Sequence, residues 1–369
     1  MVYNARARMA RIIFALDVAR PLPYNGGMSA ESVTDPDHTP LFSVVIPAYK
    51  AEKFIALTLQ SVYRQTEQDF EVVVVNDGSP DGTGDVLARE TDPRLRVINR
   101  ENGGECVARN TGTQATRGTY IAYLDSDDAW LPNHLELARR FFELHPDYNW
   151  YASTVRRVEN ISEASLETAK PLPAGKAARG VDWFLEAEIL PSATVVRRSA
   201  LPCTDLFPAG IKMHGDCVGW CRLARVNPRI GLLAHATVLY RVWPGSATSA
   251  YLAIGRGANS GAELDVLLMM QGMAAEPECG LHEKLFLRSF YLINWWMRIR
   301  SCTLKPWLPE IAKRRPLTGA FLSAWLKLCV YANHFVILSM GKLVRMRYNA
   351  LQRKRARLGA KLRRTLPME

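Results

Sequence analysis

From residue 42 onward, short runs of consecutive apolar residues alternate with longer stretches in which apolar residues recur every three or four positions. FSVVIPAY (42–49) is a β-branched run closed by Pro47, the pattern of a strand buried on both faces. Between Glu52 and Gln65, the residues Phe54, Ile55, Leu59, Val62 and Tyr63 fall on one helical stripe, which predicts a helix packed back on that strand. FEVVVVNDGS (70–79) repeats the theme and stops at Asn76, Asp77 and Gly78. A short helix around Gly84 to Glu90, a strand over 95–100 and a helix from about Glu105 come next. TYIAYLDSDDAWLPNH (119–134) then supplies a strand from Tyr120 to Leu124, with a further helix beginning at Pro132. Strands alternating with helices imply an α/β fold built on a mostly parallel sheet with right-handed crossovers.

After the helix LELARRFFELHP, which should end at Pro146, the pattern is less regular. PSATVVRRSAL (191–201) predicts a strand leading into a turn, and GIKMHGDCVGWCRLARV a helix with Asp216 at its start. GLLAHATVLYRVWPGSATS predicts one more strand, with a turn at Pro244 and Gly245. From about residue 258 the chain becomes helical and very apolar, but Lys327, Asn333 and His334 break the stretch FLSAWLKLCVYANHFVILSM before it reaches a spanning length. Packed or interfacial helices are expected there. The predicted organisation is a flexible lead-in over 1–40 and a main domain over 41–250, with halves at 41–135 and 136–250. An apolar helical region over 251–340 and a basic tail over 341–369 complete it.

Charge sharpens that division. The net charge is +11, yet residues 341–369 hold ten Lys and Arg against one Glu, which leaves 37 basic and 35 acidic residues in the remainder. Val344, Tyr348, Leu351, Leu358 and Leu362 share one stripe among the tail's basic residues, the pattern of a helix lying on an anionic membrane surface. A solvated tail and a nucleic-acid contact are the competing readings, and no nucleic-acid partner is expected. Seven cysteines form no CxxC pair and suggest reduced thiols in a cytoplasmic protein.

In a parallel sheet, ligands sit outside the carboxyl ends of the strands. The predicted ends carry Pro47, Ala48 and Tyr49, then Asn76 to Ser79, then Arg100, then Asp125 to Asp128. That inventory suits a nucleoside diphosphate bridged through a metal. Asp125, Asp127 and Asp128 either form a solvated Asx-rich turn or receive a hard divalent cation, since crowded carboxylates raise one another's pKa. Asp216 likewise either caps its helix or does chemistry. The dinucleotide fingerprint is excluded, because AYKAEKF after the first strand has no glycine, and no Walker motif is present.

The succession SVVIPAYKAEKFIALTLQSVYRQ, VVVVNDGSPDGT, NGGECVARNTG and GTYIAYLDSDDAWLPNHL resembles an inverting family 2 glycosyltransferase with the GT-A fold, over about residues 42–250. The resemblance implies that Tyr49 packs on the donor's base and Asp77 binds it, with Pro47, Ala48 and Arg100 bordering the nucleotide-sugar. It implies that Asp125 and Asp127 hold the ribose and the metal on the diphosphate, with Asp128 beside Asp127 as a further metal ligand. Asp216, followed by Trp220 and Arg222, falls where the family has its catalytic base. The implied cofactor is Mn2+ or Mg2+, and the implied donor is a nucleoside diphosphate sugar such as a UDP-sugar. The acceptor would be a lipid-linked or cell-envelope glycan, reached from the cytoplasmic face of the membrane. Asn76 replaces the family's first aspartate, and Trp243 stands where YRVWPGS would carry a histidine able to complete the metal or diphosphate site. The alternative is a non-catalytic nucleotide-sugar-binding or scaffold protein that retains the fold.

Overall fold

The computed structural model describes residues 38–167, 179–182, 189–211, 214–246 and 349–354, together with Glu283, Met346 and Arg357. Most of the lead-in and nearly all of the apolar helical region therefore lie outside the described residues.

The described elements are β1 (Phe42–Ala48), α1 (Ile55–Tyr63), β2 (Phe70–Asp77), α2 (Thr83–Ala88), β3 (Leu95–Arg100), α3 (Glu105–Ala115), β4 (Tyr120–Tyr123) and β5 (Ala129–Trp130). They continue with α4 (His134–Leu144), β6 (Trp150–Val158), α5 (Glu163–Glu167), β7 (Arg179–Asp182), β8 (Thr194–Arg197), α6 (Gly215–Val226) and β9 (Arg229–Arg241). Their strands form one sheet in the order β3-β2-β1-β4-β8-β6-β9-β5, with β7 added on β9. The first half is parallel throughout, β1 lying between β2 and β4 and β3 outside β2.

The second half departs from the parallel expectation. β8 runs antiparallel to β4 and β6, and β5 and β7 run antiparallel to β9. The helix expected from Pro132 starts instead at His134, because Ala129 and Trp130 are drawn into a two-residue strand on β9. Two residues are too short a run to show a strand period in sequence.

Both faces of the first half are covered, which is why β1 and β2 read as unbroken apolar runs. Phe42, Val44 and Ile46 pack with Ile55, Leu59 and Val62 of α1, while Val45 joins Tyr123, Phe207 and Trp220 on the other face. At the end of the sheet remote from the strands' carboxyl termini, buried Glu71 ties three segments together. Its Oε1 accepts from the Ser43 hydroxyl at 2.7 Å and from the Arg117 backbone N–H at 2.6 Å, and Ser43 in turn accepts from the N–H of Gly118. Burial works against the charged carboxylate, but the donors from Ser43 and Arg117 prevail and hold its pKa below the usual range.

Replacing Glu71 with Ala leaves these donors facing a void, and a buried unsatisfied group costs about 1–3 kcal/mol. The Glu71→Ala protein should lose roughly that much stability in urea denaturation while its ligand binding stays intact; an unchanged midpoint would contradict the role given to this contact.

Candidate active site

The loops leaving β1, β2 and β4 and the start of α6 meet at the carboxyl edge of the sheet. After Ala48 the chain leaves the core: Pro47 and Ala48 are buried and fix the course of the strand, whereas Tyr49 is 46% exposed and presents its ring outward. The next residue, Lys50, adopts φ 54°, and its N–H donates to the Ser79 hydroxyl at 3.3 Å, tying the β1 exit to the turn after β2.

Asp77 ends β2, nearly buried, and is already engaged. Its carboxylate accepts from Arg100 Nη1 at 2.9 Å and from the N–H groups of Gly103 and Gly104 at 3.0 and 2.8 Å. The Asn102 amide donates to its carbonyl at 2.9 Å. Gly78 follows at φ +64°, and a Cβ there would lie 2.7 Å from the Asn102 nitrogen, so glycine alone fits this close crossing. Arg100, expected beside the donor, spends one guanidinium nitrogen on Asp77, so these two residues are held as a unit at the end of β2 and β3.

The aspartate turn after β4 is held from four directions. Asp125 Oδ1 accepts from Arg109 Nη2 at 2.8 Å, and the Asp125 N–H donates to the Ser192 hydroxyl at 3.1 Å. Asp127 Oδ2 accepts from the Trp243 indole at 3.0 Å. Asp128 faces inward: Oδ1 accepts from the Arg241 N–H at 2.9 Å and Oδ2 from Ser192 at 2.6 Å. The Thr58 hydroxyl of α1 lies 2.9 and 2.8 Å from the carbonyls of Ser126 and Asp128. Asp128, grouped with Asp127 as a metal ligand in the sequence reading, is thus fastened into the protein, while Asp125 and Asp127 remain partly exposed. The physical reason is that β9 and the segment before β8 close over Asp128 and supply both of its donors.

Arg109 sits at the centre of the charges. Its side chain is almost fully buried and pairs with both Glu105, one turn earlier on α3, and Asp125. Burial opposes its charge, but the two carboxylates keep the guanidinium protonated. Local sequence does not signal this burial, because an i,i+4 Glu–Arg pair usually decorates a solvated helix face. Ser192 carries no signal either, being a lone serine before a strand.

Asp216 stands in the first turn of α6. Tyr123, Phe207 and Trp220 seat that helix with mutual ring distances of 5.3–5.7 Å, and Arg222 donates to the carbonyls of Asp205 and Leu206. A Cβ on Gly215 would fall 2.2 Å from the Cys106 sulfur, so glycine lets the start of α6 close directly on the start of α3. Asp216 therefore shares the field of Glu105 and Arg109. Trp220 and Arg222, part of the pattern that singled out Asp216, position the helix.

Four carboxyl groups here are lifted above the ordinary range. Burial raises Asp125 to about 7, with Arg109 opposing and Glu105 and Asp127 adding to the rise. Burial and then the neighbouring Asp125 and Asp127 push Asp128 well up. Burial lifts Asp127 against the Trp243 hydrogen bond, and burial followed by Glu105 lifts Asp216 against His214 and Arg109. Burial is the largest cause of each rise, and the guanidiniums of Arg109 and Arg241 offset it only in part.

Residues 43–204 match the family model described as Glycosyl transferase family 2. The chain is 47% identical over 91 residues to the uncharacterized glycosyltransferase EpsJ of Bacillus subtilis, covering 24% of this chain and 26% of that protein. It is 30% identical over 192 residues to an uncharacterized glycosyltransferase of Rickettsia bellii, covering 50% of this chain and 26% of that one. The chain thus spans about a quarter of the length of these two relatives. Among solved structures, S. aureus TarS 1–349 in complex with UDP-GlcNAc superposes with a TM-score of 0.55 at 18% identity, over 88% of this chain and 91% of that one. The fold is that of a GT-A glycosyltransferase, a mixed sheet with flanking helices.

A pH prediction follows from Asp125. Its folded pKa of about 7 exceeds the unfolded value of about 3.9, so between these values the folded state binds more protons and stability falls as pH rises. Asp125→Asn should flatten the decline in urea-unfolding stability between pH 5 and 7. A slope equal to that of the wild type would show that the carboxyl is not perturbed.

Proposed function

We propose that this chain is an inverting family 2 glycosyltransferase that moves a sugar from a nucleoside diphosphate sugar, with UDP-sugars the first class to test, to a hydroxyl of a lipid-linked or cell-envelope glycan. The observation that carries the reading is the convergence, at the carboxyl edge of a GT-A sheet, of Tyr49, Asp77, Asp125 and Asp127 with Asp216 at the head of a facing helix. In this reading Tyr49 covers the base, while Asp77, with its Arg100 and Gly103–Gly104 contacts, borders the nucleoside.

The residues present fit a divalent cation. Asp127 offers hard oxygen in a partly exposed position, and burial together with neighbouring carboxylates disfavours the bare charge on Asp125 and Asp127, a cost that a bound cation would offset. Mn2+ or Mg2+, when bound, would neutralise the diphosphate leaving group as a Lewis acid. Asp127 would hold it, Asp125 would orient the donor beside it, and Asp128 would support the turn from within.

Asp216 is the proposed general base. It accepts the proton of the acceptor hydroxyl as that oxygen bonds to the anomeric carbon and the bond to the diphosphate breaks on the opposite face, so configuration inverts. A raised pKa suits this task, since a carboxylate that binds a proton more readily is a stronger base. Release of nucleoside diphosphate from a panel of UDP-sugars, with Mn2+ and a glycan acceptor, tests the reading. Asp216→Asn should lower transfer by about two to four orders of magnitude, the usual contribution of positioned proton transfer, while nucleotide still binds. Near-normal turnover by the folded variant would overturn the assignment, and donor binding without any turnover by the wild type would favour the non-catalytic alternative.

The tail extends the proposal to a peripheral site on the cytoplasmic face of the membrane. Among the described residues no helix is long and apolar enough to cross a bilayer. Residues 349–354 are helical, with Met346, Arg353, Lys354 and Arg357 exposed. Each Lys or Arg near an anionic surface contributes about 1 kcal/mol, weakened by salt. Deleting residues 342–369 should abolish co-sedimentation with phosphatidylserine vesicles at low salt; equal pelleting of the two proteins would refute the anchoring role.

A further inference from the structure

The end of β9 and the turn that follows it reach the aspartate turn through three donors from two residues. The Arg241 N–H meets Asp128 Oδ1 at 2.9 Å, Arg241 Nε meets the Asp127 carbonyl at 2.9 Å, and the Trp243 indole N–H meets Asp127 Oδ2 at 3.0 Å. The indole is seated for this contact. Its ring lies 5.0 Å from that of Phe54, over which the Arg241 guanidinium also sits at 4.6 Å. A Cβ on Gly245 would come within 2.0 Å of the indole, so the following turn has room for the ring only because that residue is glycine.

An indole N–H is a donor with no lone pair to offer a metal. Trp243 therefore acts on the carboxylate and never on a cation directly. Among the described residues no three His, Cys, Asp or Glu side chains form a group able to hold a metal by themselves. A cation at Asp127 must then complete its shell with oxygens from outside the chain, as small hard cations commonly do with substrate phosphates and water.

We infer that Trp243 is a positioning residue for Asp127: its indole N–H engages Oδ2, fixes the carboxylate plane and leaves Oδ1 as the oxygen presented to a divalent cation carried on the donor's diphosphate. The inference rests on the donor reading given above. It makes the cation and the nucleoside diphosphate coupled ligands, each tightening the other by the same factor. It also assigns the Arg241–Gly245 strap a part in metal use that packing alone would not give it.

Calorimetric titration of the full chain with UDP, with and without Mn2+, separates these roles. Trp243→Phe keeps an aromatic ring against Phe54 and removes the N–H. It should weaken Mn2+-dependent UDP binding by about tenfold, the typical loss when a hydrogen-bond partner of a metal ligand is removed, and leave metal-free UDP binding unchanged. Trp243→Gln keeps an N–H donor without the ring and should fall between Phe and wild type. Mn2+-dependent binding by the Phe variant equal to wild type, an equal loss with and without Mn2+, or identical behaviour of Phe and Gln would each overturn the inference. Wild-type protein that binds UDP equally with and without Mn2+ would overturn it and spare the donor reading, whereas wild-type protein that binds no UDP under either condition would overturn both.

Discussion

Mutual repulsion among carboxylates at one edge of the sheet is the constraint to which the rest of the structure answers. Glu105, Asp125, Asp127, Asp128 and Asp216 act on one another across this edge. Burial raises the cost of each charge, so the site persists only because donors are delivered to it from several elements. α3 supplies Arg109, the segment before β8 supplies Ser192, the end of β9 supplies the Arg241 backbone, and the turn after it supplies the Trp243 indole. These donors compensate the aspartates only in part, and the carboxyl groups of Asp125, Asp127, Asp128 and Asp216 stay above their ordinary pKa range.

The same contacts explain why the second half of the sheet is mixed. Had β8 run parallel to β4, Ser192, which precedes it, would lie at the far end of the sheet from Asp128; β9, parallel to β6, carries Arg241 to the carboxyl edge at its end. Antiparallel β8 next to β4 brings Ser192 to the start of the turn, and β9 pairs with Ala129 and Trp130 immediately after it. Trp130 adds its own indole bond to the Ser192 carbonyl at 2.7 Å, so the short β5 strand is part of the clamp. Asp128, with both oxygens occupied inside the protein, is the peg on which the clamp closes.

Stability and chemistry are set at opposite ends of the strands. Glu71, Ser43 and the Arg117–Gly118 turn join β1, β2 and the approach to β4 at one end, with a carboxylate whose charge is fully compensated. At the other end, compensation is incomplete and pKa values rise. A carboxylate stabilised as an ion secures the fold, and a carboxylate kept uneasy by burial retains the capacity to bind a proton or a cation. α6 belongs to the second kind at its first turn and to the core over the rest of its length, where Trp220 packs against Tyr123 and Phe207.

The sequence by itself determined the parallel half of the fold and the roster of its loop residues, because buried parallel strands need continuous apolar runs and those runs end where chemistry-bearing residues begin. FSVVIPA, FEVVVVND and YIAY became β1, β2 and β4, and Tyr49, Asp77 and Asp125 lie at or just beyond their ends. Asp216 was placed at the head of its helix by the same local logic. Only the tertiary structure decided which aspartate of 125–128 is enclosed, that Arg109 is buried between two carboxylates, that Arg100 serves Asp77, and that Trp243 grips Asp127. Apart from the Glu105–Arg109 pair within one helix, the contacts of Asp125, Asp77 and Asp127 with Arg109, Arg100 and Trp243 join residues 16, 23 and 116 positions apart. Periodicity reports the faces of one element at a time, whereas partners on different elements are chosen by the register and direction of strands, which local pattern does not encode.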